Sequence, residues 1–212
     1  MSDVQIIKGH FYDCSEDREL RIRPESYCIV KDGVSQGIFR EVPAGYAGAK
    51  VTDYGDSIIM PGLVDLHTHA PQYPFRAIGM DMELLEWLET YTFPEEARYS
   101  SLEYASRAYD IFADDLKTSA TTRAVIFGTI HTQATLLLME KLEQTGLITC
   151  VGKVNMDRNC PDYYRETAEE SLRETERFIE ESAGYRNTSP ILTPRSGPTR
   201  SPSASTPGRS TS

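Results

Sequence analysis

Long apolar runs are absent from this chain. No stretch of about 18 or more uninterrupted apolar residues occurs, which excludes a membrane-spanning helix. The opening Met1-Ser2-Asp3-Val4-Gln5 lacks the basic region and apolar stretch of a secretory leader. The expectation is a cytoplasmic protein with no membrane partner. Cysteine is scarce, and Cys14, Cys28, Cys150 and Cys160 form no C-x-x-C pair. In a reducing compartment they read as free thiols, which excludes a disulfide or zinc-finger framework. Positive charge is in deficit, since 22 Lys and Arg against 32 Asp and Glu leave a net charge of −10. No basic cluster precedes the tail, so a phosphate backbone would be repelled and nucleic acid is disfavoured as a partner. Small neutral or cationic ligands remain open.

What is present is ordinary globular material, 212 residues of which 39% are hydrophobic and 25% charged, enough for one or two modest domains. Residues 1–55 read as a small β subdomain of β-sandwich type. Val4-Gln5-Ile6-Ile7 and Tyr27-Cys28-Ile29-Val30 are short apolar strands. Asp32-Gly33 between Ile29-Val30 and Val34–Phe39 is two-residue hairpin chemistry, because both residues tolerate positive φ.

From residue 56 the rhythm becomes strand, loop, helix. Ser57–Leu66 leads into the first strong strand, followed by Ala124–Phe127, Ile148–Val154 and the short Pro190–Pro194. Between them, Leu102, Ala105, Tyr109, Phe112 and Leu116 fall on one helical face, and Ser100 with Glu103 forms a capping box at its start. Thr132–Leu142 carries a second helix and residues 162–183 a third, where Glu169–Arg173 and Arg177–Glu181 are favourable i,i+4 pairs on a solvated face. Strands alternating with helices imply parallel β-α units. The fold class is therefore α/β, with about four of the eight units of a (β/α)₈ barrel in residues 56–195. The Ser/Pro/Thr-rich segment 196–212 cannot bury enough apolar surface to offset its ordering entropy and is expected to be a disordered tail.

The chemistry concentrates in Pro61-Gly62-Leu63-Val64-Asp65-Leu66-His67-Thr68-His69-Ala70-Pro71-Gln72. Side chains alternate along a strand, so Asp65, His67 and His69 share one face and Val64, Leu66 and Thr68 the other. The two histidines lie about 6.6 Å apart along the strand, and their imidazoles can converge on one ion at zinc-ligand distances. In a barrel the opposite face would pack on helices, accounting for Val64 and Leu66, and the strand's carboxyl end is where barrel enzymes place their chemistry. Pro71 would end the strand. On spacing alone an incidental histidine pair remains an alternative. Asp65 on the inward face counts against it, since burying a carboxylate without a role is costly. His10 reads as a surface residue and His131 as positioning the following helix start, while Trp87 and Phe93 approach the pocket but read as core.

The segment Pro61–His69 resembles the first barrel strand of the amidohydrolase superfamily. His69-Ala70-Pro71-Gln72-Tyr73, Leu84-Leu85-Glu86-Trp87-Leu88, Tyr91-Thr92-Phe93-Pro94-Glu95, Thr129-Ile130-His131-Thr132, Val151-Gly152-Lys153-Val154 and Leu192-Thr193-Pro194-Arg195 resemble, in sequence and order, its guanine deaminase family. The resemblance runs from the start to Arg195.

It implies a zinc-dependent aminohydrolase converting guanine and water to xanthine and ammonia in purine catabolism, and a homodimer for the complete family protein. His67 and His69 would be zinc ligands, with iron possible because imidazole suits both metals. Gln72 would hydrogen-bond the purine, and Arg195 would bind a carbonyl oxygen of guanine. Taken as isolated residues, Gln72 could equally be a solvent-facing loop residue and Arg195 the start of the basic tail. The family's remaining ligands, two histidines and an aspartate, and its general acid/base glutamate come from later strands and are not in this sequence. Ser196 stands where the family has a Phe. The expectation is a truncated chain, inactive alone and prone to aggregate, with the abrupt change after Arg195 suggesting a shifted reading frame. Alternatives are an amidohydrolase acting on another heterocycle, a non-catalytic fragment associating with intact subunits, and a stand-alone binding module.

Overall fold

The computed structural model describes residues 3–193. The expectation for the tail at 196–212 lies outside them. The chain divides into two compact units, one ending at Gly62 and the other beginning at Leu63. The sequence suggested a boundary at 55/56, but the fourth strand runs through that point to Ile59.

The first unit contains β1 (Val4–Cys14), β2 (Leu20–Lys31), β3 (Val34–Phe39) and β4 (Lys50–Ile59). They form one sheet in the order β3-β2-β1-β4, not the two layers of a β-sandwich. The reason lies in β1, which pairs antiparallel with β2 along one edge and parallel with β4 along the other, while β3 adds to the far edge of β2, so one sheet accommodates every strand. Asp32 (φ 50°) and Gly33 (φ 79°) both adopt the left-handed conformation between β2 and β3, as the two-residue turn requires. Ile6 lies directly opposite Ile29 across the β1–β2 ladder, and both are fully buried. His10 is half-buried rather than a free surface residue, with Nε2 3.8 Å from the Asp56 carboxylate.

The second unit is mixed α/β. Four parallel strands, β5 (Leu63–His69), β6 (Thr121–Phe127), β7 (Ile148–Gly152) and β8 (Thr188–Pro190), are adjacent in chain order. The last begins two residues before the stretch expected from the sequence. A helical segment follows β5: α1 (Leu84–Trp87), a π-helical turn at Leu88–Thr92, α2 (Phe93–Ala97) and the long α3 (Leu102–Thr118). Helix α4 (Thr132–Thr145) links β6 to β7, and α5 (Ala168–Glu181) links β7 to β8.

The predicted face of α3 buries Ala105, Tyr109 and Phe112, while Leu102 at its start remains exposed. These side chains meet Ala124 and Ile126 of β6 and Leu138 and Leu142 of α4 in one core. Ser101, not Ser100, caps α3, accepting a hydrogen bond from the Tyr104 amide. Ser100 instead donates to the Ala97 carbonyl at 2.9 Å, because residues 98–100 already form a 3-10 turn. The reciprocal capping box belongs to α5, between Thr167 and Glu170. Of the two ion pairs expected there, Arg177–Glu181 forms at 2.6 Å, whereas Arg173 approaches Glu174 at 3.7 Å.

Val64 and Leu66 depart from expectation. They are 54% and 73% exposed, because β5 pairs through one edge only, with β6, among the described residues. No helix among the described residues is long and apolar enough to cross a membrane.

Candidate active site

Strand β5 delivers its chemistry at its carboxyl end. His69 is its last residue, and Pro71 sits in the 3-10 helix Ala70–Phe75 that follows directly. Alternation places His67 and His69 on one face, and the register pairs His69 with Phe127 of β6. The Phe127 ring therefore lies beneath both imidazoles, with centroids 4.7 Å from each and nearly parallel to His69 at 13°. That packing turns the rings toward each other, leaving Nε2 of His67 and Nε2 of His69 only 3.2 Å apart.

Two nitrogens bound at about 2.0–2.1 Å to one tetrahedral ion would be separated by about 3.3 Å, so the pair fits two positions of a zinc site. Burial, with His67 alongside, pulls the His69 imidazole down to about 4, which keeps it neutral near pH 7 and able to offer a lone pair. Its Nδ1 is buried with no partner among the described residues, so the Phe127 ring and the Nε2 contact with His67 set its orientation. Asp65 binds locally, its Oδ1 accepting from the His67 amide at 3.0 Å. Among the described residues no group of three or more His, Cys, Asp or Glu could hold a metal ion.

Beside the imidazoles lies a cavity of about 160 Å³, bordered by His69, Gln72, Thr92, Phe93, Glu96 and Val154 among others. Gln72 comes from the 3-10 helix after β5 and so shares this cavity with His69. Its Nε2 donates to Glu96 Oε1 at 3.1 Å. The other carboxylate oxygen accepts from the buried Tyr164 hydroxyl at 2.6 Å, and that hydroxyl in turn accepts from the Ile130 amide at 3.4 Å. Burial pushes the Glu96 carboxyl up to about 7, against the Tyr164 and Gln72 hydrogen bonds, which favour the charged form. Thr92 is 3% exposed, and its hydroxyl has no partner among the described residues. An unsatisfied buried hydroxyl costs about 1–3 kcal/mol.

Sequence reasoning brought His67, His69 and Gln72 to one place. Arg195, with Pro194 and Ser196, lies outside the described residues. Glu96, Thr92 and Tyr164 were not singled out. The available signal was the second of two carboxylates after Phe93-Pro94, at a helical start. Phe93 lines the cavity and packs on Tyr164 at 6.0 Å. Trp87 borders a wider opening on the other side of the histidines and donates to the Ile78 carbonyl at 3.0 Å. His131 provides the backbone N-cap of α4 but no side-chain cap. Its imidazole is held low by burial, then by Lys153.

The sequence profile of the amidohydrolase family matches residues 58–205. Guanine deaminase of Mus musculus is 48% identical over 140 residues, which cover 64% of this chain and 31% of that protein. The guanine deaminase of Escherichia coli (strain K12) is 40% identical over 153 residues, 72% of this chain and 35% of its own length. Among solved structures, guanine deaminase from C. acetobutylicum, with guanine bound in its active site, superimposes with a TM-score of 0.87 at 40% identity, covering 94% of this chain and 48% of that one. A triazine hydrolase at 13% identity and a TM-score of 0.75 shares the fold alone. The chain thus spans about a third of the length of these curated relatives.

Proposed function

Because the chain belongs to the amidohydrolase family, we propose that it is the amino-terminal part of a guanine deaminase-like hydrolase. The reaction is hydrolysis of guanine to xanthine and ammonia. The observation that carries this reading is the opposed Nε2 pair, 3.2 Å apart, bordering through His69 the same cavity as Gln72. The similar guanine deaminase whose structure holds guanine supports the substrate.

In this reading the second unit supplies four β-α units of a (β/α)₈ barrel, and His67 and His69 hold the metal, zinc or alternatively iron. When bound, the ion supplies the Lewis acidity that makes a water nucleophilic near neutral pH. The chain's own residues do the rest. Phe127 fixes the imidazole planes, Gln72 hydrogen-bonds the purine edge, and Arg195 presents a guanidinium to a carbonyl oxygen. Thr92 offers one further hydroxyl to a polar ligand. The apolar walls from Phe93 and Val154 exclude water around the base. The complete family protein is a cytoplasmic homodimer in the same proposal, without nucleic acid as partner.

A catalytic zinc site takes about three protein ligands and a water. This sequence holds four histidines in all, and His10 and His131 lie on other elements. The 212-residue chain by itself should therefore bind zinc weakly and release no measurable ammonia from guanine. The test is zinc competition against a chromophoric chelator for the wild type, His67→Ala and His69→Ala, with guanine turnover in parallel. Each substitution should weaken zinc by at least the ~10–100-fold that loss of an outer-shell partner costs. Unchanged affinity in both variants would refute the metal assignment, and clear turnover would refute the inactivity.

A further inference from the structure

The Gln72 amide can present either of two chemically opposite ends to a ligand, and its own backbone does not decide which. A primary amide carries an acceptor oxygen and a donor nitrogen of nearly equal size, so the choice is made by the hydrogen-bond network around it. Here the network is unusually constrained. Glu96 is 3% exposed on α2, and both of its carboxyl oxygens act as acceptors. One of its oxygens is taken by the Tyr164 hydroxyl at 2.6 Å and the other by Gln72 Nε2 at 3.1 Å. Tyr164 is itself fully buried and receives the Ile130 amide at 3.4 Å. The Tyr164 bond, from a separate segment, thus holds the carboxyl group against Gln72.

We infer that Glu96 is a positioning residue, which takes the nitrogen end of Gln72 and thereby leaves its carbonyl Oε1 as the atom offered to the cavity beside His69. Among the described residues that oxygen accepts no hydrogen bond, while the nitrogen is engaged. A cavity whose amide is fixed in this sense selects a heterocycle edge carrying N–H donors over one carrying only lone pairs. The unpartnered hydroxyl of Thr92 on the same wall is consistent with a polar ligand there. The identity of the ligand as guanine rests on the deaminase reading; the orientation of the amide does not.

The experiment reads the side-chain amide protons of Gln72 in the full 212-residue chain by ¹⁵N-resolved NMR, assigned by through-bond correlation to the Gln72 backbone. Gln144, exposed on α4, serves as the internal reference. In the wild type the Gln72 amide should exchange with solvent at least about tenfold more slowly than that of Gln144, as an amide engaged in a buried hydrogen bond demands. Glu96→Met, which keeps length without an acceptor, should remove that protection. Glu96→Gln retains one acceptor oxygen, for which Gln72 and Tyr164 compete, and should restore part of it, whereas a merely space-filling role would make Met and Gln equivalent. Equal exchange at Gln72 and Gln144 in the wild type overturns the inference, and this comparison needs no variant to fold. A guanine titration of the same samples separates the two ideas. Protection of the Gln72 amide tests its orientation alone, whereas a guanine-dependent shift of the same resonances supports the deaminase reading.

Discussion

Burying Glu96 has a cost that depends on pH, and substituting it should make that cost visible. Its carboxyl is raised from 4.5 to about 7, mainly by burial. In the unfolded chain the group ionises earlier, so the folded state binds the extra proton between these values. Stability from this residue is complete below about pH 4.5 and is lost as pH rises through about 7. Two to three units at about 1.4 kcal/mol each give a total near 3 kcal/mol. Of this, about 2 kcal/mol falls between about pH 5.5 and about pH 8, a window that avoids precipitation near the isoelectric point of 4.9. Glu96→Gln has nearly the same shape and cannot ionise. Other titrating groups are common to both proteins and cancel in the difference. Urea unfolding followed by the fluorescence of Trp87, the single tryptophan, reports on the second unit. The variant should gain about 2 kcal/mol on the wild type over that pH range. A difference that stays constant with pH, or that moves in favour of the wild type, would refute the buried, upward-shifted carboxyl.

Ser101→Ala should destabilise the second unit by about 1 kcal/mol in the same urea assay, while Ser100→Ala, which removes only a bond to the preceding turn, should cost less; the reverse order would return the cap to Ser100. Glu166 is paired with the buried ammonium of Lys153 at 2.7 Å, and burial already holds that ammonium below its usual value, with Glu166 opposing. Glu166→Ala strands a buried charge and should cost about 3–5 kcal/mol, whereas the double variant Glu166→Ala/Lys153→Met should recover part of it. Failure of the double variant to recover any stability would mean that the pair matters through packing rather than charge.

Periodicity located the elements because each buries one face against a neighbour in the chain. The α3 stripe, the Asp32-Gly33 turn and the four parallel strands all follow from local pattern plus nearest-neighbour packing. Where the reading missed, the decision was made by something that pattern does not encode. The choice between Ser100 and Ser101 depends on whether residues 98–100 have already turned as a 3-10 helix. The number of sheets in the first unit depends on β1 accepting a distant fourth strand along its free edge. Exposure of Val64 and Leu66 depends on what lies beside an edge strand, a question of neighbours rather than of alternation.

The site divides along the same line. Asp65, His67 and His69 were legible because a strand's alternation is a strict rule, and it put both imidazoles on the face that β6 continues with Phe127. Gln72 was legible only through resemblance, since a polar residue in a loop carries no periodicity. Glu96 was legible by neither route. Its significance comes from contacts with residues 24 positions before it and 68 after it, and a sequence lists those three side chains without any sign that they meet. A buried carboxylate with both oxygens occupied is a long-range object, assembled only when the 3-10 helix after β5, α2 and the turn at Tyr164 close on one another. The same closure walls the cavity beside the histidines. The residues that line the cavity therefore lie further from the motif in sequence than the proposed metal ligands, and they become visible only once the chain is folded.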